Sequence, residues 1–277
     1  MDTGPVVAEA ERQFRAAERR GGVEVRELHQ ISEFRQVFAL YDDIWHADPG
    51  KAPISTELMR AMSHSGNYVT GAFDGARLVG ACVGFFADPV GTALHSHVTG
   101  ALPGRGIGFA LKLHQRAWAL ARGLSTVFWT YDPLVRRNAH FNIAKLGARP
   151  EEYLESFYGP MADAINAGDE SDRLLVVWRL TEPRVVAACS GTGKPPLVPD
   201  EARVALAAKG DRPVKGTTDG RVSLVQIPRD VETLRRTDPT AARAWRHATR
   251  DVLGGLIGQG ARVTGFTSDG HYILERQ

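Results

Sequence analysis

The sequence predicts an α/β fold: a mixed, mostly antiparallel sheet flanked by helices, followed by a C-terminal α+β extension. Three observations predict it. Runs with the two-residue apolar period of strands interleave with runs of helical period along residues 23–181. A glycine-rich stretch, Gly104-Arg105-Gly106-Ile107-Gly108, separates a series of strands from a long helix. Beyond Thr181 the chain passes through a Gly/Pro-rich segment into a short strand, a helix and a hairpin. The expected organisation is a flexible or helical lead-in over 1–22, a main domain over 23–181 and the extension over 182–277.

Element by element, residues 23–28 alternate apolar and charged, as a half-buried strand does. Ile31, Phe34, Phe38, Tyr41 and Trp45 fall at steps of three or four, a helix that Asp48-Pro49-Gly50 breaks. Ser55, with Glu57 in the first turn, caps a second short helix. Residues 67–73 and 77–86 are rich in β-formers and flank Asp74-Gly75, a hairpin signal, and 92–102 reads as a neighbouring strand. The glycine stretch opens a helix ending at Gly123, with Ile107, Ala110, Leu111, His114, Trp118 and Ala121 on one stripe and Lys112, Gln115, Arg116 and Arg122 toward water. A strand over 126–132 and a helix over 136–146 follow, the latter stopped by Gly147. Residues 173–180 form an apolar strand and 222–227 another; Asp238-Pro239 starts a helix running to about residue 259, and 262–275 forms a hairpin around Asp269-Gly270.

Composition removes several function classes. A hydrophobic share of 43% and a charged share of 24% are those of an ordinary globular chain. A formal charge of +2 gives no footprint for nucleic acid or an acidic membrane surface. No apolar run approaches the ~18 residues needed to span a bilayer. The two cysteines, Cys82 and Cys189, sit in no C-x-x-C pattern, so a reducing compartment is expected. The first twenty residues lack a secretion signal's apolar core, and the expectation is a cytoplasmic protein. His46, His64 and His140 lack a second ligand at metal spacing, so no metal site is expected.

The glycine stretch carries the chemistry. Three glycines let the backbone approach a ligand closely, and the first turn of the following helix presents N–H groups and the positive end of its dipole. Arg105 adds a full charge, so the stretch reads as a pyrophosphate cradle. Its spacing, G-x-G-x-G, differs from the G-x-G-x-x-G of dinucleotide-binding βαβ units. Residues 190–196 lack the first glycine and the closing Ser or Thr of a P-loop.

Residues 94–147 resemble the acetyl-CoA-binding core of the GNAT superfamily of acyltransferases. The resemblance rests on the glycine stretch together with His95-Ser96-His97, Leu111-Lys112, Gln115-Arg116, Trp129-Thr130-Tyr131-Asp132-Pro133-Leu134, Arg137-Asn138-Ala139 and Lys145-Leu146-Gly147. Phe157-Tyr158-Gly159, Ser171-Asp172-Arg173 and Ile227-Pro228-Arg229-Asp230 extend it to a longer branch of the superfamily. It implies that acetyl-CoA or another acyl-CoA is the donor, with its pantetheine arm inserted between the splayed fourth and fifth strands. Thr99, Gly100, Ala101 and Leu102 would then bind pantetheine, and Gly104, Arg105, Gly106, Ile107, Gly108 and Phe109 the pyrophosphate. Asn138, Asn142 and Lys145, spaced i, i+4, i+7, would turn one polar face to the cofactor arm. A homodimer is implied only at the level of the family. Two positions depart from its pattern: Pro103 stands where Arg or Gln is usual, and Ile143 where many members carry the tyrosine that protonates the leaving thiolate.

Such a transfer needs a base for the amine and a donor to the tetrahedral oxyanion. His95 and His97 share a face of their strand and are the base candidates, with Asp132 and Tyr131 as competitors; a backbone N–H near Gly100 or Ala101 is the oxyanion donor. The acidic run over 163–172 reads as a solvated loop or a selector for cationic amines. The expected reaction is direct transfer of an acetyl or succinyl group to a small amine such as an amino acid. The alternatives are a non-catalytic acyl-CoA sensor and a protein N-acetyltransferase.

Overall fold

The computed structural model describes residues 4–45, 53–159 and 169–276. It divides into two compact units, residues 1–129 with 179–181, and residues 130–178 with 182–277.

In the first unit, α1 (Gly4–Gly21), β1 (Glu24–Glu27), α2 (Ile31–Trp45) and α3 (Thr56–His64) precede a meander of β2 (Tyr68–Asp74), β3 (Arg77–Ala87) and β4 (Ala93–Ala101). Helix α4 (Ile107–Ala121) then leads to β5 (Thr126–Tyr131), which begins in this unit. The strand order is β1-β2-β3-β4-β5, antiparallel as far as β4 and parallel between β4 and β5, so the sheet is mixed. Ser55 caps α3 by accepting from the Leu58 amide, as its position predicts. Alternation along β3 assigns the two faces. Ala81 and Val83 join the core formed by Phe34, Val37, Tyr41 and Met59 of α2 and α3. On the opposite face Gly80 lies so close to α4 that a Cβ would meet Ile107 at 2.8 Å and Leu111 at 3.0 Å.

The lead-in is a helix, and it changes the reading of α4. Phe14 of α1 meets the His114 ring edge-on at 4.8 Å, and Gln13 accepts from Arg116 at 2.7 Å. With the sheet on one side and α1 on the other, α4 has little water-facing surface. Lys112, Gln115 and Arg116, expected in solvent, are all buried, and Arg116 also donates to the Leu180 carbonyl at 2.9 Å. Of that expected polar set only Arg122 is exposed, stacked 3.8 Å from the Trp118 ring.

In the second unit, β6 (Arg149–Leu154) and β7 (Arg173–Arg179) pair antiparallel, and a five-stranded sheet runs β11-β12-β10-β8-β9. Its strands are β8 (Arg203–Lys209), β9 (Arg212–Lys215), β10 (Val222–Gln226), β11 (Arg262–Phe266) and β12 (His271–Glu275). The helices are α5 (Arg136–Ala139), α6 (Pro183–Cys189), α7 (Val231–Thr237), α8 (Pro239–Thr249) and α9 (Gly255–Gly258). Two of them are irregular: α5 runs into a π-turn over His140–Lys145, and a second π-turn, Arg250–Gly254, joins α8 to α9. The first corrects the expected polar face. A π-turn carries more residues per turn than an α-helix, so i, i+4, i+7 no longer align. Asn138 is half-buried, Asn142 buried and Lys145 exposed.

Candidate functional site

The glycine stretch folds as its composition predicts. Gly104 (φ 109°) and Gly106 (φ 76°) hold left-handed backbone that a side chain would strain, and Gly106 is the N-cap of α4. A Cβ built at Gly104, Gly106 or Gly108 meets no atom within 4 Å, so the backbone is open to close approach at all three. The Phe109 and Ala110 amides turn back to the Gly106 carbonyl, while the preceding amides of Ile107 and Gly108 are first-turn donors that an α-helix leaves without an intrahelical acceptor. This is a cradle an anion fits.

Arg105 is placed differently from expectation. Its Nε donates to the Gly21 carbonyl at 2.9 Å, one terminal nitrogen to the Gly22 carbonyl at 2.6 Å, and the other pairs with Asp74. The guanidinium ties the loop to the end of α1 instead of lying over the cradle. The open cradle is therefore lined by backbone.

Upstream of the loop, β4 and β5 part. Their ladder has three pairs, Ala93↔Thr126, Leu94↔Val127 and His95↔Phe128. Beyond it β4 continues to Ala101 alongside β3. Thr99, Gly100 and Ala101 lie in this free-running stretch, and Leu102 follows with its amide on the Val79 carbonyl at 2.9 Å. Gly100 has its own packing reason, since a Cβ there would meet the Trp45 ring at 2.7 Å. The β3–β4 register also slips: Val83 faces Val98 but Gly84 faces Ser96, leaving His97 as the extra residue of a bulge. Because of it Ser96 and Thr99, three apart, both turn toward Cys82, at 3.8 and 3.0 Å.

His95 and His97 come together as predicted, ring centroids 6.1 Å apart, on the face opposite Ser96. Phe85 lies against both, at 4.9 and 6.0 Å, and Phe128 edges onto His95 at 5.2 Å. Burial, with help from His97 and Lys112, pulls the His95 pKa down to about 4, so its ring is neutral at pH 7. His97 is exposed, with Nε2 3.3 Å from the Pro53 carbonyl. A carbonyl only accepts, so Nε2 is the donor and Nδ1 of the neutral ring is left to take a proton.

The other candidates belong to the second unit. Asp132 is buried and bonded by Arg235 at 2.6 Å and by both terminal nitrogens of Arg246 at 2.9 Å, and it accepts from the Leu134 amide at 2.9 Å. Although burial alone would raise its pKa, Arg246 and Arg235 hold it far below the usual carboxylate range. A group held so firmly as an anion does not serve as a base at neutral pH, which corrects its candidacy. Tyr131 is pushed above the tyrosine range by burial and bonds Tyr272 at 3.2 Å. Of the acidic run, residues 163–168 lie outside the described residues, as does His46. Asp169 and Asp172 are not a solvated selector: Asp169 bonds Arg235 and Arg246, and Asp172 bonds Arg250, Tyr153 and the Ser156 amide.

The residue that sequence reasoning missed is Lys112. It is 3% exposed, with Nζ 3.1 Å from Ser96 Oγ, 2.5 Å from Gln115 Oε1 and 3.9 Å from the Trp129 ring centroid. It belongs to the Leu111-Lys112 pair of the family resemblance, but its periodicity, a charge beside a helical apolar stripe, ordinarily means solvent.

Solved structures of acetyltransferases are similar to part of the chain. A GNAT-family acetyltransferase from Streptococcus pneumoniae is 16% identical, covering 56% of this chain and 98% of its own, with a TM-score of 0.45. The aminoglycoside 6'-N-acetyltransferase from Enterococcus faecium is 16% identical over 57% of this chain and 98% of its own, TM-score 0.44. The ribosomal-protein-S18-alanine N-acetyltransferase from Escherichia coli is 11% identical over 58% and 95%, TM-score 0.45. No protein-family model matches the chain, and no curated protein matches it. Among the described residues no helix is long and apolar enough to cross a membrane.

Proposed function

We propose that the chain is an acyl-CoA-dependent N-acyltransferase that moves an acetyl or succinyl group directly to the amino group of a small molecule such as an amino acid. On this reading residues 23–181 form the acyltransferase domain and 182–277 its extension. One observation carries the reading: the β4–β5 ladder stops at His95↔Phe128, and the free stretch of β4 leads straight into an open, backbone-lined anion cradle. A strand edge beside a gap can hydrogen-bond an extended amide-bearing arm, and the cradle can hold the diphosphate at the arm's far end. Pantetheine joined to a nucleotide diphosphate has that shape and that order of groups.

The chain's own residues divide the work. The backbone of Thr99 to Leu102 binds and orients the arm. The first-turn amides of α4 hold the diphosphate. His97 offers Nδ1 and can take the amine's proton directly or through a water; His95, its pKa pulled down to about 4, is too weak a base for that proton and stays its neutral neighbour.

Titration calorimetry with CoA, acetyl-CoA and succinyl-CoA, against NAD and ATP, tests the reading. Binding of a thioester above both controls supports it and narrows the donor. No CoA binding overturns it. Binding without turnover on amino acids, polyamines or peptides would favour the sensor alternative.

A further inference from the structure

Lys112 sits at the closed end of the β4–β5 fork. The last ladder pair is His95↔Phe128, and the next residue on each strand is Ser96 and Trp129. Lys112 Nζ touches both, 3.1 Å from Ser96 Oγ and 3.9 Å from the Trp129 ring centroid. Gln115, one turn along α4, accepts from Nζ at 2.5 Å and donates to Cys82 Sγ at 3.4 Å. The amine thus reaches from α4 to the point where the strands separate, on the face opposite His95 and His97.

An arm that enters at the glycine loop and runs back along β4 brings its sulfur to this closed end. We propose that Lys112 is the acid that protonates the departing coenzyme A sulfur; the inference rests on the acyl-CoA reading above. In the step, the amine nitrogen forms a bond to the acyl carbon and its proton passes to the histidine side. The tetrahedral intermediate then breaks its C–S bond, and sulfur leaves with the electron pair and takes a proton from Nζ. The products are amide and thiol. The proton gained on the histidine side and the one lost from Lys112 are exchanged with solvent.

The surroundings suit the role. Burial lowers the Lys112 pKa to about 8, close to the ~8.5 of an ordinary thiol, so proton transfer between them is nearly balanced. Among the titratable groups that act on it are Cys82 of β3 and, across the sheet, His95 of β4, the latter neutral at pH 7. Neither supplies a competing positive charge.

The test compares the affinities of CoA and desulfo-CoA, which lacks the thiol, for the full chain at pH 6 and pH 8. An ammonium at the sulfur favours thiolate, and one unit of thiol pKa is roughly tenfold in binding. The wild type should prefer CoA by roughly threefold at pH 8 and hardly at all at pH 6, and Lys112→Met should lose the preference while binding desulfo-CoA normally. Equal affinities in the wild type at both pH values would overturn the proposal, and need no variant to fold. An equal loss of both ligands in Lys112→Met, with its melting unchanged, would also overturn it and leave Lys112 a fork-building residue. If neither compound binds the wild type, the acyl-CoA reading itself fails.

Discussion

At the scale of single residues, charge and burial separate two kinds of group that look alike in sequence. Arg105 stands in a glycine loop, where a free guanidinium would meet a phosphate, yet its three nitrogens hold Gly21, Gly22 and Asp74. Arg105→Ala should cost about 1–2 kcal/mol in urea unfolding, mostly from two hydrogen bonds to carbonyls, since its half-exposed ion pair adds little. It should change CoA affinity by less than about threefold, against about tenfold for a direct charged contact worth ~1.5 kcal/mol. Gly106→Ala should do the reverse: at φ 76° the new Cβ strains the cradle, and CoA binding should fall more than ten-fold for roughly 1 kcal/mol of stability. His114 illustrates a second distinction. Its Nδ1 lies 2.9 Å from the Tyr68 hydroxyl, and burial lowers its pKa to about 4. The unfolded chain, with a histidine near ~6.5, therefore binds the proton first, and stability is lost as pH falls from about 6.5 toward 4. Urea titrations at pH 7 and 4.5 should show a loss of about 1–3 kcal/mol that is smaller in His114→Gln. An equal loss in both would place the acid sensitivity elsewhere.

At the scale of elements, the sequence was legible wherever local chemistry decided the outcome. Helix α2 matches its predicted span because its apolar residues recur at three and four. The turns after Asp74 and Asp269 follow the Asp-Gly signal, and Asp238 caps α8 by accepting from the Ala241 amide. Strands β6, β8 and β9 escaped notice for identifiable reasons. Glu-Glu in Arg149–Leu154, Ala and Lys in Arg203–Lys209 and Pro213 in Arg212–Lys215 are weak strand formers, and pairing partners supply what propensity lacks. The short helices α6 and α7 have too few residues to show a period. The candidate site divides along the same line. Its glycines announce themselves because only glycine takes that backbone, and the two histidines because strand alternation puts them on one face. The fork and the bulge at His97 depend on register, the burial of Lys112 on how α4 packs against β4 and β5, and that of Arg116 on α1 covering α4, none of which a local pattern encodes.

At the scale of the whole chain, the placement of arginines bears on where an independent domain can end. Asp132, Asp169 and Asp172 precede the sequence boundary at 181, but their bonded partners Arg235, Arg246 and Arg250 all follow it. Removing one partner from a buried ion pair costs about 3–5 kcal/mol, because it strands a charge that water cannot reach. A chain shortened to residues 1–181 loses all three arginines together with the helices that shield the carboxylates, and so a whole layer of its packing. It also leaves β6 and β7 without the π-turn and β11 that pack on β6. Such a chain should lack a cooperative thermal transition and aggregate, whereas the full chain melts cooperatively. Arg246→Met, which breaks the same network with an unbranched apolar side chain, should lower the full chain's stability by about 3–5 kcal/mol. If residues 1–181 instead melted cooperatively within a few degrees of the full chain, the buried arginine–aspartate network would be dispensable to folding. The extension would then be an appendage.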